Sequence, residues 1–313
     1  MIEVEDIKII NVDAEVLGSN KKNLKNIKNK NYEYFKGDIT NKKLMEKLIS
    51  RVDSVINFAA ESHVDRSIND SEPFLKSNIL GVYSILDVIR KNKKNVKLVQ
   101  ISTDEIFGSK PRGASKEEDI FHPSNPYSAS KASAELIIES YLKTYDLDVM
   151  ITRCTNNFGP RQFPEKLIPK TIIRSMKDLK IPIYGNGKNI RDWLFVEDHC
   201  NAITKVLLKG KRGESYNISG NNQVSNIQLV KKILKNLDKS ENLIYFVTDR
   251  PGHDLRYSLD STKIRHKLGW KPKEKFSKSL IETIDWYLEN QNWWKNLATK
   301  EMLSPTPWKK YRK

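Results

Sequence analysis

The sequence predicts an α/β fold, a doubly wound parallel sheet followed by a smaller, mixed C-terminal domain. Three observations carry this. Strand-like apolar runs alternate with helical stretches from residue 7 to Cys154, the pattern of parallel strands joined by crossover helices. The texture then changes, and Gly159, Pro160, Pro164, Pro169, Pro182, Gly185 and Gly187 crowd a short span. Finally, the run from Lys97 ends in the polar series Ser102-Thr103-Asp104-Glu105, at the kind of strand end where open α/β sheets bind ligands.

Residues 7–13, 32–35, 52–58, 98–102 and 149–154 read as strands, short and rich in Ile, Val and Phe. Residues 44–50, 72–91 and 125–145 read as helices between them. Beyond Cys154 the Pro- and Gly-rich span suits either substrate-gripping segments or plain surface loops. Helical periodicity returns at 197–208, 226–237 and 277–287. The tail from Trp293 to Lys313 has little periodicity. The division drawn is 1–158 for the first domain, with a return segment near 192–212, and 159–313 for the second.

With 313 residues, 38% hydrophobic and 30% charged, the chain is long enough for a substantial core. No apolar run approaches bilayer length, and no charged-then-apolar leader opens it, so no membrane partner is expected. Cys154 and Cys200 are the only cysteines, which excludes a disulfide framework and points to a reducing cytoplasm. His63, His122, His199, His253 and His266 show no metal-ligand spacing with them, so no metal is expected. The formal charge of +16 invites a nucleic-acid reading. The lysines, however, are spread along the chain and mixed with Asn, as over residues 20–30, and no nucleic-acid-binding signature accompanies them. Solvated faces explain them better.

The chemistry-bearing residues are Thr103, Asp104 and Glu105 at a strand end, and Tyr127 and Lys131 on the next helix. A separation of four puts Tyr127 and Lys131 on one helix face, one turn apart. An ammonium there favours the phenolate, whose formation at neutral pH otherwise costs about 4 kcal/mol. Taken singly, Tyr-x-x-x-Lys occurs by chance on many helices, and two loop carboxylates are ordinary. Their order along the chain favours catalysis.

These residues resemble the extended short-chain dehydrogenases and, within them, the nucleotide-sugar 4,6-dehydratases, above all the dTDP-glucose 4,6-dehydratase family. The likeness runs from residue 7 to about 295. It is carried by 57–66 (NFAAESHVDR), 101–108 (ISTDEIFG), 124–131 (SNPYSASK), 152–160 (TRCTNNFGP), 164–169 (PEKLIP), 190–193 (IRDW) and 248–253 (TDRPGH). It implies a Rossmann-like fold, NAD as cofactor, dTDP-glucose as substrate and a homodimer. In the implied roles Tyr127 takes the proton of the sugar 4-hydroxyl, helped by Lys131 and Thr103. Glu105 then removes the C5 proton, and Asp104 protonates the departing 6-hydroxyl. For substrate grip the likeness implies Ser62, Asn156, Lys166, Leu167, Pro182, Tyr184, Arg191, Asn217, Arg250 and His253. Arg191 and Arg250 suit a diphosphate, although either alone also reads as a surface ion pair. For NAD it implies Asp13, Asp38, Ile39, Ala59, Ala60, Ser77 and Asn157 beside Tyr127 and Lys131. Asp13, ending a strand, suits a ribose hydroxyl, and equally a strand-end turn.

The sequence departs from this pattern at its start. Members of the family open with a strand, a Gly-x-x-Gly-x-x-Gly loop and a helix before the Asp-ending strand, which here begins at about residue 7. The expectation is a doubly wound sheet with its first strand missing, through a start codon set too far downstream or a chain cut short. The strands ending at Asp13 and Phe58 would then lose their shared neighbour. Two rivals stay open: a short, non-catalytic paralogue that binds a nucleotide sugar or a full-length subunit, and a UDP-glucose 4,6-dehydratase.

Overall fold

The computed structural model describes residues 7–309. Parallel strands β1 (Ile9–Asp13) and β2 (Tyr32–Lys36) pair in register, Asp13 opposite Lys36. Helix α1 (Lys42–Ile49) starts at Asn41, whose side chain accepts from the Leu44 N–H. Strand β3 (Ser54–Asn57) follows, then α2 (Val64–Asn69) and α3 (Glu72–Phe74). A π-helical turn over Leu75–Leu80 leads into α4 (Gly81–Lys91). The expected helix over 72–91 is therefore present without interruption, with a π-helical stretch inside it. The wide turn has a physical use, because it carries Asn78. Its side chain donates to the Glu61 carbonyl at 3.0 Å and to Ser130 Oγ at 2.9 Å, and accepts from the Glu61 N–H at 2.9 Å.

Strand β4 (Lys97–Thr103), helix α5 (Pro126–Tyr145) and strand β5 (Val149–Cys154) complete the first half. Asn125 and Ser128 cap α5 reciprocally and Pro126 occupies its first turn, a strong helix start. The second half holds β6 (Asn156–Phe158), α6 (Leu167–Met176), β7 (Ile181–Tyr184), β8 (Ile190–Phe195), α7 (Val196–Lys209), β9 (Ser215–Ile218), β10 (Gln223–Ser225), α8 (Asn226–Asn236), β11 (Ile244–Val247), α9 (Thr262–Leu268), α10 (Phe276–Glu289) and α11 (Gln291–Trp294).

The main sheet is parallel, in the order β3-β4-β5-β9. Its register aligns Thr103, Cys154 and Ile218 at one edge. The sheet is not one continuous structure, because β1 and β2 form a separate pair. Between β1 and β3 lies a cleft of about 770 Å³ lined by Ile10 and Val12 on one side and Val55 and Ile56 on the other. Among the described residues no strand joins these two edges.

Three apolar clusters hold the layers. The first joins α1, α4 and α5 to β4 and β5 through Leu48, Leu86, Leu98, Ile138 and Val149. On the opposite face Val99 and Met150 pack against Ala202, Val206, Ile218, Ile264 and Trp270. The chain thus returns to the first sheet twice, with α7 and β9 and again with α9. A third cluster gathers Phe158, Ile172, Trp193, Leu229, Ile284, Tyr287 and Trp294. The tail, which lacked periodicity, is anchored here. Trp294 and Trp308 are both buried, and Trp308 sits edge-on to Tyr184, centroids 4.5 Å apart. Among the described residues no helix is long and apolar enough to cross a membrane.

Candidate active site

The end of β4 folds into one tight turn, Asp104–Phe107, because the Thr103 hydroxyl accepts from the Glu105 N–H at 3.2 Å. That cap fixes the directions of the two carboxyls. Asp104 is buried, accepts from Thr103 Oγ1 at 3.2 Å, and keeps Oδ2 without a partner. Burial first, and then the neighbouring Glu105 charge, push its carboxyl well above the usual range, so Asp104 is held neutral. Glu105 accepts from Asn125 Nδ2 at 3.4 Å and lies 3.2 Å from the Tyr257 hydroxyl, whose one proton is shared between Glu105 and Asp254 Oδ2 at 2.7 Å. Burial and Glu105 keep Tyr257 un-ionised, which makes it a donor. Adjacent carboxyls in such unlike surroundings are equipped to divide acid and base work.

Tyr127 and Lys131 lie one turn apart on α5, both buried. The expected pairing of ammonium and phenol is not what the structure holds. Lys131 Nζ donates to the Ile101 carbonyl at 2.6 Å, and burial lowers it to about 8. Burial and the Glu105 charge push Tyr127 well above 10, with the Thr103 hydroxyl opposing them. The dry surroundings of α5 oppose both charges, so the phenol is neutral. Cys154 also lies here. Burial pushes its thiol up to about 12, leaving it unreactive.

Two positive groups stand beyond the carboxyls. Arg191, from β8, stacks its guanidinium 4.2 Å from the centre of the Tyr257 ring and donates to the Asp254 carbonyl at 3.0 Å. Arg250 donates from Nη1 to Asp65 Oδ1 at 3.0 Å, and the Tyr184 hydroxyl donates to Asp65 Oδ2 at 2.9 Å. His253 Nδ1 sits 2.6 Å from Asp249 Oδ1. Tyr257 links this wall to the acid pair.

Six of the residues expected to hold the dinucleotide gather elsewhere. Asp13, Asp38, Ile39, Ala59, Ala60 and Ser77 line the cleft between β1 and β3, together with Ser62 and Lys166. Lys166 Nζ donates to the Ser62 carbonyl at 2.8 Å. The cleft volume is within the range of cofactor sites, and Asp13 offers a strand-end carboxylate beside small Ala59 and Ala60. These residues fit the adenosine end of a dinucleotide. No Gly-x-x-Gly-x-x-Gly run occurs in the chain.

Against this geometry, the model of the family described as GDP-mannose 4,6 dehydratase matches residues 3–283. A dTDP-glucose 4,6-dehydratase of Streptomyces niveus is 43% identical over 278 residues, covering 89% of this chain and 82% of that protein. The chain belongs to the dTDP-glucose 4,6-dehydratase family. The crystal structure of DesIV, a dTDP-glucose 4,6-dehydratase of Streptomyces venezuelae with NAD and TYD bound, superimposes with a TM-score of 0.92 at 39% identity, covering 94% of this chain and 91% of that one. The dTDP-glucose 4,6-dehydratase of Bacillus anthracis, in complex with NAD, gives 0.88 at 44% identity, with 94% and 92% covered. The fold is the Rossmann-like α/β architecture of these dehydratases.

Some residues expected from the family likeness are committed elsewhere. Pro182 is buried within β7 opposite Tyr245. Leu167 packs into the apolar clusters around α6 and α8. Asn217 is buried and donates to the Ser115 carbonyl at 3.0 Å. Asn157 donates to Cys154 Sγ at 3.2 Å and to the Thr155 carbonyl at 3.1 Å. Asn156, in β6, is half-buried with its Oδ1 unengaged. Three polar residues were missed. Tyr257 lies 152 positions from Glu105 with no local pattern to flag it. Asn125 and Asp65 read in the sequence only as members of matched segments.

Proposed function

We propose that this chain dehydrates dTDP-glucose to the 4-keto-6-deoxy sugar and water. The observation that carries the reading is the pair Asp104 and Glu105, one buried with Oδ2 unpartnered, the other within hydrogen-bonding reach of Asn125 and Tyr257. The family membership, and the NAD and TYD bound to the related DesIV structure, support it.

Tyr127, steered by Thr103, accepts the proton of the sugar 4-hydroxyl once its own has left, and Lys131 is the cation nearest along α5 to favour that loss. Bound NAD would supply the acceptor for the C4 hydride and its return at C6, with a solvent-derived proton taken up at C5. The C4 ketone acidifies the C5 hydrogen, and Glu105 removes that proton. Asp104 gives its proton to the departing 6-hydroxyl, which leaves as water. Arg191 and Arg250 hold the diphosphate, and Asp13, Asp38 and Ser77 hold the adenosine side of the cofactor. Each acid–base contribution is typically worth about 10² to 10⁴ in rate.

The division into a cofactor domain over 1–158 with a return segment, and a sugar-nucleotide domain over 159–313, belongs to this reading. So do a cytoplasmic location, supported by the sparse cysteines, and a homodimer, supported by the family likeness. The test is incubation with dTDP-glucose and catalytic NAD. The keto-deoxy product should form without net NADH, whereas one NADH accumulating per sugar consumed would contradict it. Sedimentation at equilibrium tests the dimer.

A further inference from the structure

We propose that Asp65 is the positioning residue of the nucleotide grip, setting Arg250 and Tyr184 in place for the diphosphate end of the substrate. The assignment rests on the dehydratase reading above. Asp65 lies in the first turn of α2 and is only 3% exposed. Its two oxygens take one donor each, Arg250 Nη1 at 3.0 Å and the Tyr184 hydroxyl at 2.9 Å. Those donors come from neighbouring strand ends. Tyr184 is the last residue of β7 and pairs with Val247 of β11, three positions before Arg250. One carboxylate on the dinucleotide side of the molecule thus ties together two residues of the sugar-nucleotide side.

The chemistry of the three groups agrees with a positioning role. Burial opposes ionisation of Asp65, yet Arg250, by charge and hydrogen bond, and Lys170 hold the carboxyl below its usual range. The acceptor is therefore charged at any pH near neutrality. Arg250 is half-buried, and its Nε has no partner among the described residues. With one edge of the guanidinium fixed by Asp65, that N–H is left as a directed donor, suited to a phosphate oxygen. Tyr184 is held from the other side by Trp308, edge-on at 4.5 Å. An amide at position 65 cannot replace the carboxylate. It has one acceptor oxygen, and its NH₂ would face a donor.

The experiment is a double-mutant cycle read by calorimetric titration with dTDP, a probe that needs no hydride chemistry. Asp65→Asn should weaken dTDP binding by about 10- to 100-fold, the range for a hydrogen bond to a charged group. Arg250→Gln should weaken it at least as much. The double variant should lose clearly less than the sum of the two single losses, because Asp65 acts in part through Arg250. In turnover, Asp65→Asn should raise KM by the same factor and leave kcat at saturation nearly unchanged. Fully additive losses, or an equal fall in kcat, would overturn the assignment while leaving the dehydratase reading intact. Failure of the wild-type chain to bind dTDP would overturn both. Should Asp65→Asn not fold, the cycle of Tyr184→Phe with Arg250→Gln reads the same coupling through the shared carboxylate, and additivity there also refutes it.

Discussion

The division of labour between Asp104 and Glu105 yields two different failures. Asp104 is buried and neutral, so Asp104→Asn changes neither charge nor size and retains an oxygen to accept from Thr103 at the present 3.2 Å. What it loses is a transferable proton. Loss of a general acid typically costs about 10² to 10⁴ in rate, or roughly 3 to 5 kcal/mol of barrier. Glu105→Gln likewise keeps the bulk of the side chain and an acceptor for Tyr257 or Asn125, but removes the base. Both variants keep Tyr127 and Lys131, so both should still oxidise C4, visible as a single-turnover burst of NADH absorbance. Exchange of the C5 hydrogen with deuterated water separates them. It should persist in Asp104→Asn and vanish in Glu105→Gln. If both lose hydride transfer as completely as Tyr127→Phe, the assignment of roles is wrong.

Three further outcomes follow from the same structure. Tyr257→Phe removes a donor to Glu105 and should lower kcat by about 10- to 100-fold, from a charge-assisted hydrogen bond of about 1.5 to 3 kcal/mol, while C4 oxidation persists; an unchanged kcat would show that Tyr257 does not position the base. His199 is buried and burial lowers it to about 4. Its folded value lies below the ordinary 6.5, so its contribution is complete above about pH 6.5 and is lost as pH falls toward 4. Urea unfolding should show about 2 kcal/mol less stability at pH 5 than at pH 7.5 from this group, and His199→Gln should flatten that slope. Glu135 and Arg153 form a fully buried pair at 2.7 Å. Glu135→Leu strands the arginine and should cost about 3 to 5 kcal/mol, lowering the melting temperature on the order of 10 °C; adding Arg153→Met should restore most of it, and a single variant as stable as wild type would refute the argument.

How much of this was legible in the sequence depends on whether the signal was local. Strand 149–154 lies where its apolar pattern puts it, and α5 starts within a residue of its predicted beginning, because both signals are carried by adjacent residues. The strand end at Thr103 was readable for the same reason. The helix over 72–91 was legible too, but its π turn at Leu75–Leu80 was not, because that turn carries Asn78 to Glu61 and Ser130, contacts between distant segments. Lys131 was expected beside Tyr127 from spacing alone. Spacing says nothing of burial, and burial turned the ammonium to a backbone carbonyl. Tyr257, the partner of Glu105, and Asp65, the partner of Arg250 and Tyr184, stand 152, 185 and 119 positions from the groups they hold. Only the fold brings them together. The separation of the β1-β2 pair from the main sheet was anticipated from the strand order, since the strands ending at Asp13 and Phe58 have no common neighbour within residues 7–309.

The most direct test of the dehydratase account follows one hydrogen. The chain, supplied with NAD, is incubated with dTDP-glucose carrying deuterium at C4, and the product is analysed by NMR. The account predicts that the deuterium lies in the C6 methyl group, with hydrogen from solvent at C5. Deuterium lost to solvent, retained in the cofactor, or still at C4 of unchanged sugar would contradict it.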